Sequence, residues 1–275
     1  MPRCCGCAAR VDPTDDDHAT VRSSQKRMMD KDSAAMMKDF RRMMASTKNM
    51  SIEHFIHEQS LFEMLVPSQT EDGGLAPCAL LDGEWMLTRA AKLRQCASRE
   101  ERKRWALPRR QQLERDSPEA FMPVDKLRKL DRGEVRINEP LRLVCVSHIW
   151  CQLGHPDPYG DNLLVLAEAL TKAREAERFP TGDFAVFLDW CSLHQRDDNG
   201  KRTPQENVAF SQALSKMNLW YAHQKTLVYL LTGTPPDWPA ETIPYHARGW
   251  PSFERSACAK TNSLSNSHPF AAAFA

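Results

Sequence analysis

The chain has 275 residues, 41% of them hydrophobic, a formal net charge of +1 and a mean hydropathy of −0.55. That length suits one large domain or one domain with extensions. The balanced charge gives no overall pull toward nucleic acid or an anionic membrane, and no apolar run approaches the ~18 residues of a membrane span. Neither a nucleic-acid partner nor an integral membrane segment is therefore expected.

Residues 1–23 are polar and aperiodic, which predicts a disordered tail. They lack the apolar stretch of a secretory signal, and Pro2 excludes the Met-Gly start of N-myristoylation. Nine cysteines are present, and only Cys4, Cys5 and Cys7 cluster. An odd count with thiols in or beside predicted strands suits reduced cysteines in a cytoplasmic protein better than a disulfide framework. The clustered three are candidates for palmitoylation or, weakly, for a metal. Because C-C-x-C lacks paired C-x2-C spacing and a second half-site, no metal is assigned and an unmodified tail is favoured.

Residues 24–137 read as a helical region. Met28, Met29, Met36, Met37, Phe40, Met43 and Met44 recur at spacings near four and seven, giving one apolar stripe. Eight basic residues against three acidic ones lie between positions 21 and 50. A helix-mediated partner through residues 24–50 is one reading, and docking of the stripe on the chain's own domain or a second copy is the favoured one. The helix restarts near Ser51 and stops at Pro67. Residues 67–82 read as a loop. Residues 84–116 read as helix, so rich in mixed charge that a solvated face is expected.

From residue 138 to 262 the pattern alternates strand and helix. Leu141–His148, Ala185–Asp189 and Thr226–Leu231 are strand-like. Helices follow from Asp161 or Asn162 (either an N-cap) to about Glu177, from about Gln205 to Ala222, and around Pro251–Lys260. Three such units imply a parallel sheet with right-handed crossovers. Residues 263–275 read as a C-terminal tail, leaving a sheet that is short or completed by the N-terminal region.

Ligands in open α/β sheets bind outside the carboxyl ends of the strands. Ser147, His148 and Trp150 close the first strand, and Asp189, Trp190, Ser192 and Gln195 close the second. Asp189 suits a ribose hydroxyl or the backbone of its own loop. Trp150 and Trp190 suit a stacked heteroaromatic ring or a lid over the core. His148 suits a general base, though a structural role is commoner. Cys191 and His194 suggest a thiol nucleophile but lack a third, orienting residue. His155 and Asp157 suit a rigid loop better than a metal site. No glycine-rich phosphate loop occurs.

Three blocks of this region resemble the fungal heterokaryon-incompatibility (HET) domain. The first is Ser147-His148-Ile149-Trp150. The second is Leu188-Asp189 with Gln195 six residues after the Asp, followed by Met217 and Tyr221. The third is Arg248-Gly249-Trp250 with Glu254 four residues after the Trp. Ser192, Phe253 and Cys151 depart from the family's usual Cys, Gln and Gly, so the likeness is divergent. Trp250-x-x-x-Glu254 also resembles the TIR domain. The resemblance implies an α/β, three-layer fold with a short parallel sheet of flavodoxin/TIR-like topology. It further implies intracellular signalling in defence or cell death. In that reading Glu254 is the catalytic carboxylate that cleaves the nicotinamide–ribose bond of NAD, with NAD as substrate and no cofactor. Ser147, His148, Trp150, Asp189, Trp190, Ser192, Gln195, Arg248 and Trp250 are then ligand-binding. The alternative is a non-catalytic module that self-associates through the same fold, with Glu254 paired to Arg248 or Arg255 at a helix start.

Overall fold

Five strands form one sheet in the computed structural model, which describes residues 50–67, 74–132, 143–151, 154–175, 183–235, 238, 243–261 and 267–270. The expected tail, its cysteines and the methionine stripe lie outside these residues. The strands are β1 (Leu81–Asp82), β2 (Leu143–His148), β3 (Ala185–Phe187), β4 (Leu227–Leu231) and β5 (Ser267–Phe270), and their order across the sheet is β1-β3-β2-β4-β5. β2 is central and runs parallel to both neighbours, in register Leu143↔Ala185 and Val144↔Leu227. β5 extends the parallel set beyond β4, while β1 pairs antiparallel with β3 through Leu81↔Val186.

The four parallel strands, in chain order, therefore sit second-first-third-fourth, the flavodoxin-like arrangement. Its switch point lies between β2 and β4. Two expectations change. The sheet is mixed, because β1 closes the outer edge of β3 in the antiparallel sense. It also continues past residue 262, because Ser267–Phe270 is a strand and not tail. Residues of β2 and β4 are buried along their whole length, as parallel strands covered on both faces must be.

One face of the sheet packs on α2 (Gly83–Arg94) and α6 (Asp161–Glu175). These follow α1 (Gln59–Phe62) and the series α3 (Arg99–Trp105), α4 (Arg110–Asp116) and α5 (Val124–Arg132) in the chain. Val144 and Val146 point this way, into a cluster with Met86, Leu113, Leu163 and Leu170. The segment 81–120 of the helical N-terminal region thus shares one hydrophobic core with the α/β segment. The other face carries α9 (Met217–Ala222) and α10 (Gly249–Thr261), preceded by the four-residue turn α7 (Asp189–Ser192) and by α8 (Pro204–Ser215). There Phe187 stacks on Trp220, centroids 4.6 Å apart and planes 9° from parallel. Such a pair contributes about 0.5–1.5 kcal/mol beyond its buried area.

Local chemistry sets the helix ends. Thr203 and Glu206 form a reciprocal capping box with Pro204 at the first helical position, which starts α8 one residue before Gln205. The helix expected through Ala222 breaks at Lys216, so α8 and α9 are separate. At α6 neither Asp161 nor Asn162 is the cap. The Asp157 carboxylate accepts the N–H of Leu163 at 3.0 Å, while Asp161 pairs with Arg102 at 2.5 Å. Gly160 makes the turn between them with φ +70°, and a Cβ there would lie 2.4 Å from Leu93 Cδ2. Only glycine meets both conditions.

Candidate functional site

Neighbouring residues of a strand point to opposite faces of its sheet. Ser147 and His148 therefore open onto different layers, and the strand-end candidates divide accordingly.

Ser147 faces α10. Its hydroxyl donates to the Glu254 carboxylate, and its oxygen lies 2.5 Å from the Tyr245 hydroxyl. Since the serine proton is committed to Glu254, Tyr245 donates to Ser147. Glu254 is 2% exposed. Tyr221 and Trp250 also hydrogen-bond it. Burial pushes its pKa from an ordinary 4.5 to about 8, against the pull of the Ser147 bond; the nearby Asp189 charge adds to the rise. The shift favours the protonated acid at neutral pH. The Tyr221 hydroxyl, which also lies 3.3 Å from the Val146 carbonyl, donates to Glu254 and, like Ser147 and Trp250, opposes the rise. The expected pairing of Glu254 with Arg248 or Arg255 is not what the carboxyl makes. Arg248 donates to the carbonyls of Ile243 (2.9 Å) and Trp150 (3.0 Å), and Arg255 is exposed.

His148 faces α6. With Val146, Leu163, Leu188, Trp190 and Leu231 it lines a cavity of about 20 Å³ at the carboxyl ends of β2, β3 and β4. That volume holds roughly one water. Burial lowers the His148 pKa, against the opposing effect of Asp189, whose Oδ1 is 3.9 Å from Nε2.

Asp189 stands at the seam of the two sides. Its Oδ1 accepts the Trp190 N–H at 2.6 Å and its Oδ2 accepts the Trp150 indole at 3.0 Å. The two indoles meet edge to face, 5.6 Å apart. The rest of the second block turns away. Trp190 Nε1 donates to the Leu107 carbonyl at 2.9 Å, Ser192 Oγ accepts the Leu188 N–H of its own turn at 3.0 Å, and Gln195 Nε2 donates to the Asp189 carbonyl at 2.9 Å. Ser147, Trp150, Asp189, Arg248, Trp250 and Glu254 are thus brought together. Trp190, Ser192 and Gln195 instead join the second block to the N-terminal helices, and His148 lies across the sheet.

Two residues that hold this join were read from sequence as solvated charge or polarity. Arg110 is 3% exposed, and its guanidinium donates to the carbonyls of Ala76, Pro77 and Ser192 at 3.0–3.1 Å and to Glu114 at 2.8 Å. Gln111 bonds both the N–H and the carbonyl of Gln195. Tyr245, in a proline-rich loop, was also missed, and no periodicity marks it. Compared with protein families, curated proteins and solved structures, the chain matches none of them.

The remaining candidates are structural. Cys191 donates to the Pro108 carbonyl at 3.3 Å, and burial pushes its thiol well above the usual range, the opposite of an activated nucleophile. His155 accepts the Asp157 N–H at 3.0 Å, burial drives it down to about 4, and its ring rests on Trp190. No group of metal-ligating side chains occurs among the described residues, and no helix among them is long and apolar enough to cross a membrane.

Proposed function

We propose that the chain is a HET/TIR-like signalling module that works by binding, to partner proteins or further copies of itself, and that its three motif blocks form a structural lock. The observation that carries this reading is the burial of Glu254. Its carboxyl is 2% exposed and is used by Ser147, Tyr221 and Trp250, which leaves it no open face toward a substrate. A glycosidic cleavage needs an ionised carboxylate against the ribose to stabilise an oxocarbenium-like transition state. Here burial favours the neutral form of the carboxyl and screens it from solvent.

A second reading, cleavage of NAD at the nicotinamide–ribose bond, draws support from one feature. A carboxyl with a pKa of about 8 sits beside the switch point of a flavodoxin-like sheet, where ligands of such folds bind. In this reading α10 must move before Glu254 meets substrate. Incubation of the protein with NAD, over a range of protein concentrations that drives self-association, separates the two. No nicotinamide release is expected from wild type. Release that disappears in Glu254→Gln, with the fold intact by circular dichroism, refutes the lock reading and establishes the catalytic one.

A further inference from the structure

The balanced total charge conceals a local excess. Between Trp85 and Trp105 there are seven basic residues and two acidic ones. The fold arranges part of this segment around aromatic rings. Arg89 lies 5.3 Å from the Trp85 ring and 5.7 Å from the Trp105 ring, between the two indoles. It is held there by three hydrogen bonds, to the carbonyls of Arg104, Trp105 and Ala106. Lys92 stands 4.8 Å from the Trp105 ring, and Arg99 and Lys103 stand 4.4 and 5.6 Å from the Tyr159 ring. Both lysines are exposed and the three rings are half-buried. Arg89 thus fixes the Trp85 and Trp105 rings relative to each other, and the other cations stand beside Trp105 and Tyr159.

We propose that this face of α2 and α3 binds single-stranded nucleic acid, with phosphates on Lys92, Arg99 and Lys103 and bases stacked on Trp105 and Tyr159. A positively charged track with rigid aromatic faces is the combination such strands require. An acidic peptide would use the cations and leave the rings unused. A membrane surface would call for apolar side chains that project, whereas the three rings are half-buried and, among the described residues, no large aliphatic of α2 or α3 is exposed. Lys103 meets Glu100 at the surface, where a pair is worth little.

The test is fluorescence anisotropy of labelled 15-nucleotide single-stranded RNA and DNA of mixed sequence, titrated with the full chain at 50 and 200 mM salt. Three phosphate contacts predict a log–log salt slope of roughly −2. Lys92→Glu combined with Lys103→Glu, two exposed changes that leave the core intact, should bring the slope below about 1 in magnitude and nearly abolish binding. Trp105→Ala should weaken binding roughly 5- to 150-fold, and Trp105→Phe should retain most of it. Lys201→Glu, on an exposed turn elsewhere, should change nothing. The proposal is overturned by no anisotropy change at 50 mM salt, by equal affinity of wild type and the double lysine variant, or by a polyglutamate peptide or anionic vesicles competing as well as unlabelled strand.

Discussion

Glu254→Gln tests whether the buried acid is a cost that the fold carries. The folded pKa is raised, from 4.5 to about 8. For a raised pKa the stabilising contribution is complete below the unfolded value and is lost as pH climbs to the folded one. At about 1.4 kcal/mol per pH unit, the interval gives a ceiling near 5 kcal/mol lost between pH 4.5 and 8. Glutamine keeps the shape and cannot ionise, so it removes the loss. Its amide donates where the acid oxygen accepted, and one imperfect hydrogen bond costs about 1–2 kcal/mol. The variant should match wild type to within about 1–2 kcal/mol at pH 5.5 and exceed it by about 3 kcal/mol at pH 8.5. Urea unfolding followed by fluorescence of the seven tryptophans measures this directly. If the variant's stability runs parallel to wild type across that range, Glu254 is not the group that titrates, and the protonated lock is wrong.

Three further outcomes are expected. Burial lowers His155, His194 and His223 to about 4, so their contribution is lost as pH falls from 6.5 toward 4; Asp157, raised to about 6, and Glu254 act in the opposite sense. The histidines dominate up to about their unfolded value and Glu254 dominates above it, so thermal melts should peak between about pH 6.5 and 7 and decline by pH 8; a steady rise to pH 8.5 contradicts this balance. Arg110→Met should strand the carbonyls of Ala76, Pro77 and Ser192 and cost about 3 kcal/mol by denaturant melt, and a loss under about 1 kcal/mol would mean water replaces the guanidinium. Gly160→Ala combines a left-handed backbone with a clash against Leu93 and should cost at least 2 kcal/mol or so; an unchanged melting temperature would show that the turn relaxes freely.

The α/β half was legible because its signal is periodic. Buried parallel strands read as short apolar runs, and the helices between them carry caps and inner-face leucines. Of the residues that the HET resemblance singled out, seven (Ser147, Trp150, Asp189, Tyr221, Arg248, Trp250 and Glu254) are brought together. What sequence hid were effects of contact between distant segments. β1 has two residues in a stretch without alternation, and it is a strand only because β3 offers an edge. β5 lies in a short polar–apolar mix that β4 alone organises. Arg110 sits in a run of charges that reads as solvent-facing, and nothing local says that one guanidinium turns inward to three carbonyls. Ser147 and His148 were grouped as one site because they are adjacent. The pleat separates them.

The sheet's order also bears on how the chain is made. During synthesis β2, β3 and β4 emerge in sequence, yet β4 keeps a bare hydrogen-bonding edge until Ser267–Phe270 has left the ribosome. β3 can be covered from the start, because Leu81 and Asp82 precede it. The nascent chain is therefore protected on one flank and open on the other for the time taken to translate the stretch from Leu231 to Ser267. An unpaired parallel strand is a template for intermolecular pairing. Stalling or truncation within that stretch would leave a nearly complete core with one adhesive side.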